Sequence, residues 1–119
     1  IDNFSVLPGS ESKLFKGLQL GCSGIITATC NATSVLARKV YDDFNDGNDQ
    51  TVNQNLCDVR AEFEKYNLIS GLHTYFSEKE NYYKNLLPPL SILNAKDESD
   101  LINNLDKLNF SLKKNTQAA

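Results

Sequence analysis

The run Ile25-Ile26-Thr27-Ala28-Thr29-Cys30 restricts the fold more than any other segment of this chain. It is rich in β-branched residues and carries no charge on either face. It also lacks polar alternation, which suits a strand covered on both faces in a parallel sheet. Such a strand needs neighbours on both sides, because a bare edge leaves a row of unpaired backbone groups. A second short apolar run, Phe4-Ser5-Val6-Leu7, ends at Pro8-Gly9 and reads as a strand closing in a turn. Pro8 cannot continue a central ladder. Between the two runs, Ser10 or Ser12 caps a helix expected from about Ser12 to Leu20, with Leu14, Phe15 and Leu18 on its inner face. Glu11 falls near its start, where the helix dipole favours negative charge. Gly21 and Gly24 break that helix. Strand, helix and strand make one right-handed crossover unit of an α/β protein. Two strands do not make a closed sheet, so further strands are expected before Ile1. The chain also lacks methionine, including at position 1, which points to processing or to a piece of something longer.

The remainder reads as helical. Ser34 caps a helix reaching about Phe44, with Leu36, Val40 and Phe44 on one face. Asn45 to Asp49 is a turn cluster. From Asp49 to about Tyr66, the residues Val52, Leu56, Val59, Phe63 and Tyr66 recur at steps of four, three, four and three. That is a helical stripe, and it is read as core. Ser70-Gly71 is expected to bend the path before a helix carrying Leu72, Tyr75 and Phe76, with the polar stretch Glu78 to Lys84 at its end. The prolines in Leu86-Leu87-Pro88-Pro89-Leu90 predict an extended segment. Ser99 caps a last helix with Leu101, Leu105, Leu108 and Leu112 on one stripe. Lys113 and Lys114 suit its C-terminus, and Asn115 to Ala119 is expected to fray.

Several function classes are disfavoured. The chain is 40% apolar and 23% charged, which is globular composition. Its net charge is −3 and it has no cluster of Lys and Arg, so no nucleic-acid partner is expected. The longest uncharged stretch, Gly17 to Ala37, is interrupted by Gln19, Ser23 and Asn31, so no membrane span is expected. No signal peptide or lipidation motif is visible. Cys22, Cys30 and Cys57 lie eight and 27 residues apart, which fits neither a disulfide framework nor a zinc site. They read as small apolar residues of a protein kept in a reducing, cytoplasmic compartment. The single histidine, His73, has no acidic residue at i+4 and reads as structural or surface. No metal or cofactor is expected. Tyr75, Phe76, Tyr82 and Tyr83 lack basic interleaving, so they read as helix packing or an oligomer contact rather than a stacking platform.

Three segments then occur together: Val6-Leu7-Pro8-Gly9-Ser10-Glu11, Gly21-x-x-Gly24-Ile25-Ile26-Thr27-Ala28-Thr29-x-Asn31, and Leu87-Pro88-Pro89-Leu90. In that order the chain resembles the C-terminal portion of the dihydrodipicolinate synthase / N-acetylneuraminate lyase family. These are class I, Schiff-base aldolases and lyases on a (β/α)₈ barrel with an added helical subdomain. The resemblance implies that Phe4–Leu7 is barrel strand seven and Ile25–Thr29 strand eight. Residues 1–44 would be the last two βα units and residues 45–119 the helical subdomain, which in the family contributes to oligomer contacts. An isolated chain of this kind would be mostly helical.

The family's Schiff-base lysine lies on strand six, its catalytic tyrosine on strand five and its carboxylate-binding loop after strand two. None maps onto this sequence, so no catalytic residue is assigned; Lys13 and Lys16 read as solvated surface charge. What the resemblance does transfer is the pocket rim, which in such barrels lies at the C-terminal ends of the strands. Gly9 lets the chain approach a ligand closely, Ser10 and Glu11 bond substrate hydroxyls, and Ile26 and Ala28 lie near the Schiff-base centre. Ala28 stands where sialic-acid lyases carry a hydroxyl side chain, which points away from sialic acid. The expectation is a fragment of a lyase acting on a 2-oxo acid such as pyruvate, silent alone, and forming homo-oligomers through strand edges or helices. The alternative is a stand-alone, mostly helical interaction module.

Overall fold

The computed structural model describes residues 2–111. Five α-helices occur in them: α1 (Leu14–Gln19), α2 (Cys30–Asn45), α3 (Asn53–Glu64), α4 (Leu68–Ser77) and α5 (Ala95–Lys107). Short 3₁₀ turns precede α1 at Glu11–Lys13 and follow α4 at Asn81–Lys84. Among the described residues no helix is long and apolar enough to cross a membrane. The chain divides into two compact units, Ile1–Arg60 and Ala61–Ala119.

In the first unit, Leu14 and Leu18 of α1 pack with Ala37 and Val40 of α2 and Leu56 of α3. Phe15, Ile25, Leu36 and Phe44 close around them, and Phe15 meets Phe44 edge-on at 6.3 Å. The stripe expected on the third helix is real: Leu56 and Val59 are fully buried. The helix carrying it is shorter than expected, Asn53–Glu64 rather than Asp49 to Tyr66.

The two expected strands are not strands. Among the described residues no β-ladder is present, although Phe4–Leu7 and Ile25–Ala28 both run without helical structure. Two backbone hydrogen bonds still join them: Ser23 N–H donates to Val6 O at 2.9 Å, and Ile26 N–H donates to Pro8 O at 3.2 Å. The physical reason is pairing. The two bonds present are too few to make a ladder, and Pro8 has no N–H to return. The apolar side chains that a full sheet would cover are left in solvent, with Phe4 at 68% exposure and Ile26 at 71%.

Helix α2 begins at Cys30, four residues before Ser34, so Cys30 opens a helix rather than ending a strand. The cap comes from behind: Thr27 Oγ1 accepts the Cys30 N–H at 2.9 Å. Ser34 therefore lies inside the helix.

In the second unit, Phe63 meets the Tyr75 ring edge-on at 5.7 Å, and Tyr75 stacks on Phe110 at 5.7 Å. Leu72, Leu101 and Leu105 are buried as the spacing predicted. Ser70-Gly71 does not bend the path; both residues lie inside α4 and are buried. A Cβ on Gly71 would sit 3.6 Å from the Phe63 ring, so the two helices approach closely there. Asn67 caps α4, accepting from the N–H groups of Ile69 and Ser70 at 3.1 Å. The stretch after α4 forms the 3₁₀ turn rather than continuing the helix. Pro88-Pro89 is not extended either: its peptide bond is cis, and Leu90 N–H donates back to Leu87 O at 3.0 Å. Helix α5 starts at Ala95, capped by Asn94 through the Asp97 N–H at 2.8 Å, and not at Ser99. The expectations for Leu112, Lys113, Lys114 and Asn115 to Ala119 lie outside the described residues.

His73 is half-buried on α4, with Nδ1 2.7 Å from the Tyr83 carbonyl oxygen. A carbonyl only accepts, so this contact places the proton on Nδ1. The Tyr82 and Tyr83 rings stack at 4.3 Å, and Phe76 packs on Tyr83 at 5.3 Å.

Candidate functional site

The chemistry of the first unit is concentrated where the two extended segments end. The segment from Ile25 to Thr29 alternates in exposure. Ile25 packs on the core, Ile26 is exposed, Thr27 is half-buried, Ala28 is exposed and Thr29 is fully buried. From Ile26 to Thr29 this inverts the usual amphipathic order, with the hydroxyl side chains turned inward and the apolar ones outward.

The inward threonines face a carboxylate. Glu11 has no solvent exposure. Its Oε1 accepts hydrogen bonds from the hydroxyls of Thr27 at 2.9 Å and Thr33 at 2.9 Å, and from Thr29. Its Oε2 accepts from Arg60 Nη1 at 3.0 Å. Arg60 Nη1 also donates to Thr29 Oγ1 at 2.8 Å. Each threonine hydroxyl has one proton to give. Thr27 gives its proton to Glu11 and accepts from Cys30 N–H; Thr29 gives its proton to Glu11 and accepts from Arg60. Thr33 shares its one proton between Glu11 Oε1 and the Thr29 carbonyl oxygen, 3.1 Å away.

Burial pushes the Glu11 carboxyl up, but hydrogen bonds from Thr29, its own backbone, Thr33 and Thr27 outweigh that and hold it below the ordinary glutamate value. It is a charged, fully bonded group. Burial likewise pushes the Cys30 thiol up, and does the same for Cys57, where Asp58 and Glu11 add to it. Both thiols stay protonated near neutral pH and act as packing groups.

The five rim residues expected from the sequence divide in two. Gly9, Ile26 and Ala28 are exposed and Ser10 is half-buried. Gly9 and Ile26 are adjacent, since a Cβ on Gly9 would lie 3.9 Å from the Ile26 carbonyl oxygen. Ser10 caps the turn that follows it, with Oγ 3.4 Å from the Ser12 N–H and 2.9 Å from the Ser12 hydroxyl. Glu11 alone points inward, into the threonine and arginine set. Lys13 and Lys16 are exposed on the first helical turns.

Arg60 was not singled out by sequence reasoning, nor were the three threonines as a group. One signal was available. Leu56, Val59, Arg60 and Phe63 share one helix face by spacing, and a cation on a buried face requires a buried anion.

Comparison with known proteins settles the family. The family model described as the dihydrodipicolinate synthetase family matches residues 1–108. The chain belongs to that family. A similar curated protein is the 2-dehydro-3-deoxy-D-gluconate/2-dehydro-3-deoxy-phosphogluconate aldolase of Picrophilus torridus. It is 27% identical over 92 residues, covering 75% of this chain and 34% of the aldolase. The crystal structure of dihydrodipicolinate synthase from Agrobacterium tumefaciens str. C58 superposes with a TM-score of 0.72 at 19% identity. That match covers 89% of this chain and 36% of the synthase. The chain therefore spans about a third of the length of each relative. The fold likeness extends to a dihydrodipicolinate synthase, while the described residues themselves are helical with no strand.

Proposed function

We propose that this chain is the C-terminal portion of a class I, Schiff-base-forming aldolase or lyase acting on pyruvate or a related 2-oxo acid. Phe4–Leu7 and Ile25–Thr29 are its last two barrel strands, and the helices after α2 are its C-terminal subdomain. The observation that carries this reading is the inverted exposure of Ile26 and Ala28 against Thr27 and Thr29. Apolar side chains left outward on an uncharged strand fit the inner wall of a barrel whose other strands are contributed from elsewhere.

In the complete enzyme a lysine amine on another strand condenses with the 2-oxo carbonyl and releases water to give an imine. The imine's enamine form then makes, or in reverse is left by, a carbon–carbon bond to an aldehyde carbon. This chain supplies neither the lysine nor a proton-transfer group. Its contribution is the wall formed by Ile26 and Ala28 and the close-approach turn at Gly9-Ser10. Glu11, bonded on both oxygens, shapes that turn from behind, and Ser10 offers a half-buried hydroxyl there. Alone, the chain is catalytically silent. Its exposed extended segments also favour association, either with the rest of a barrel or with a second copy.

Borohydride reduction in the presence of pyruvate, followed by intact mass measurement, tests this. The reading requires a stable adduct on a polypeptide carrying the whole barrel and none on this chain. An adduct on this chain rejects it, as does failure to trap one on the whole-barrel polypeptide.

A further inference from the structure

Arg60 occupies a place where packing alone calls for an apolar residue. Leu56, Val59 and Phe63 on the same helix face are fully buried, and Arg60 is 8% exposed among them. Burying a guanidinium is costly unless it is paired and hydrogen-bonded, so its partners explain its presence. Those partners come from the ends of both extended segments. Glu11 follows the first, 49 residues away in sequence, and Thr29 closes the second.

We propose that Arg60 is a positioning residue for the pocket rim, locking the register of Ile25–Thr29 against the Gly9-Ser10-Glu11 turn. Side chains along an extended segment alternate faces, so a slip of one residue exchanges every inward group for an outward one. Ile25–Thr29 carries no charge, and its apolar residues fit either face, so hydrophobicity alone does not choose between the two registers. Thr27 and Thr29 do choose, because both donate to Glu11 Oε1, Thr27 from the extended run and Thr29 from the αR turn that starts α2. Arg60 fixes that carboxylate through Oε2 and holds the Thr29 hydroxyl as well. With both threonines held inward, Ile26 and Ala28 are left exposed. That the outward face is the substrate side rests on the aldolase reading above; the register lock does not.

The test uses this chain and the double substitution Glu11→Leu with Arg60→Met. It removes both charges together, so no unpaired ion is left buried. The amides to follow are Ser23 and Ile26, which donate to the Val6 and Pro8 carbonyls across the two segments. Their hydrogen exchange is expected to quicken at least about tenfold more than that of interior amides of α1 and α2, whose rates report any general loss of stability. Arg60→Lys, which keeps a cation against Glu11, should recover part of that protection. Wild-type exchange at Ser23 and Ile26 in the double variant overturns the proposal. Equal loss of protection throughout α1 and α2 also overturns it, because Arg60 would then be a general stabiliser.

A whole-barrel polypeptide separates this inference from the aldolase reading. The double variant should still trap pyruvate with borohydride, while KM for the aldehyde rises about tenfold and kcat changes less than about twofold. If the wild-type barrel traps no pyruvate, the aldolase reading fails and the exchange result stands by itself. If it traps pyruvate and the variant's KM is unchanged, the positioning role at the rim fails.

Discussion

Arg60 Nη1 lies 3.0 Å from Glu11 Oε2 and 2.8 Å from Thr29 Oγ1, so a single guanidinium nitrogen ties the first helical turn to the residue just before α2. Removing one partner leaves the other as an uncompensated buried charge. Arg60→Met is expected to lower unfolding free energy by about 3–5 kcal/mol, and the double substitution with Glu11→Leu by less than half of that. Urea denaturation of the three proteins checks this. Equal losses in single and double variants would show that the pair is not the source.

The same pair sets an acid limb. The Glu11 carboxyl titrates below the ordinary glutamate value in the folded chain. The unfolded chain therefore takes up its proton first as pH falls. The stability contributed by the carboxylate is complete above the ordinary value and is lost as pH drops through the lowered folded value. Glu11→Gln keeps an acceptor for the threonines but has no proton to take up there. Its unfolding free energy should vary less with pH over that window than the wild-type value. Parallel curves would contradict the account.

The cap of the last helix gives an independent check. Asn94 accepts the Asp97 N–H at the start of α5, while Ser99 sits exposed inside the helix. Asn94→Ala should cost about 1 kcal/mol. Ser99→Ala should stay within about 0.5 kcal/mol of wild type. The reverse order in thermal or urea unfolding would restore Ser99 as the cap.

Periodicity located the helices well where apolar residues recur at helical steps, as with Leu56, Val59 and Phe63 or Leu101 and Leu105. It located their starts poorly, because the caps lie outside the stripe: Thr27 caps α2 across three residues, and Asn94 precedes Ser99 by five. The strand reading of Ile25–Cys30 rests on composition, which is a statement about neighbours. In this chain those neighbours are absent among the described residues, so extended backbone results without a ladder. The rim was legible only through a resemblance to the family. The Glu11–Arg60 pair was not legible, because nothing in either local sequence names a partner 49 residues away. Only the misplaced cation on an apolar stripe marked it.

The proposed function puts the outward face of Ile25–Thr29 on the wall of a pyruvate-type pocket. The most direct measurement is borohydride trapping of pyruvate by the whole-barrel polypeptide carrying Ala28→Phe, beside wild type and the surface variant Lys13→Met. Ala28 is exposed here, so a larger side chain extends toward what that face meets. The account predicts full adduct formation by wild type and Lys13→Met, and at least about a tenfold loss for Ala28→Phe at an unchanged melting temperature. Wild-type trapping by Ala28→Phe would contradict it.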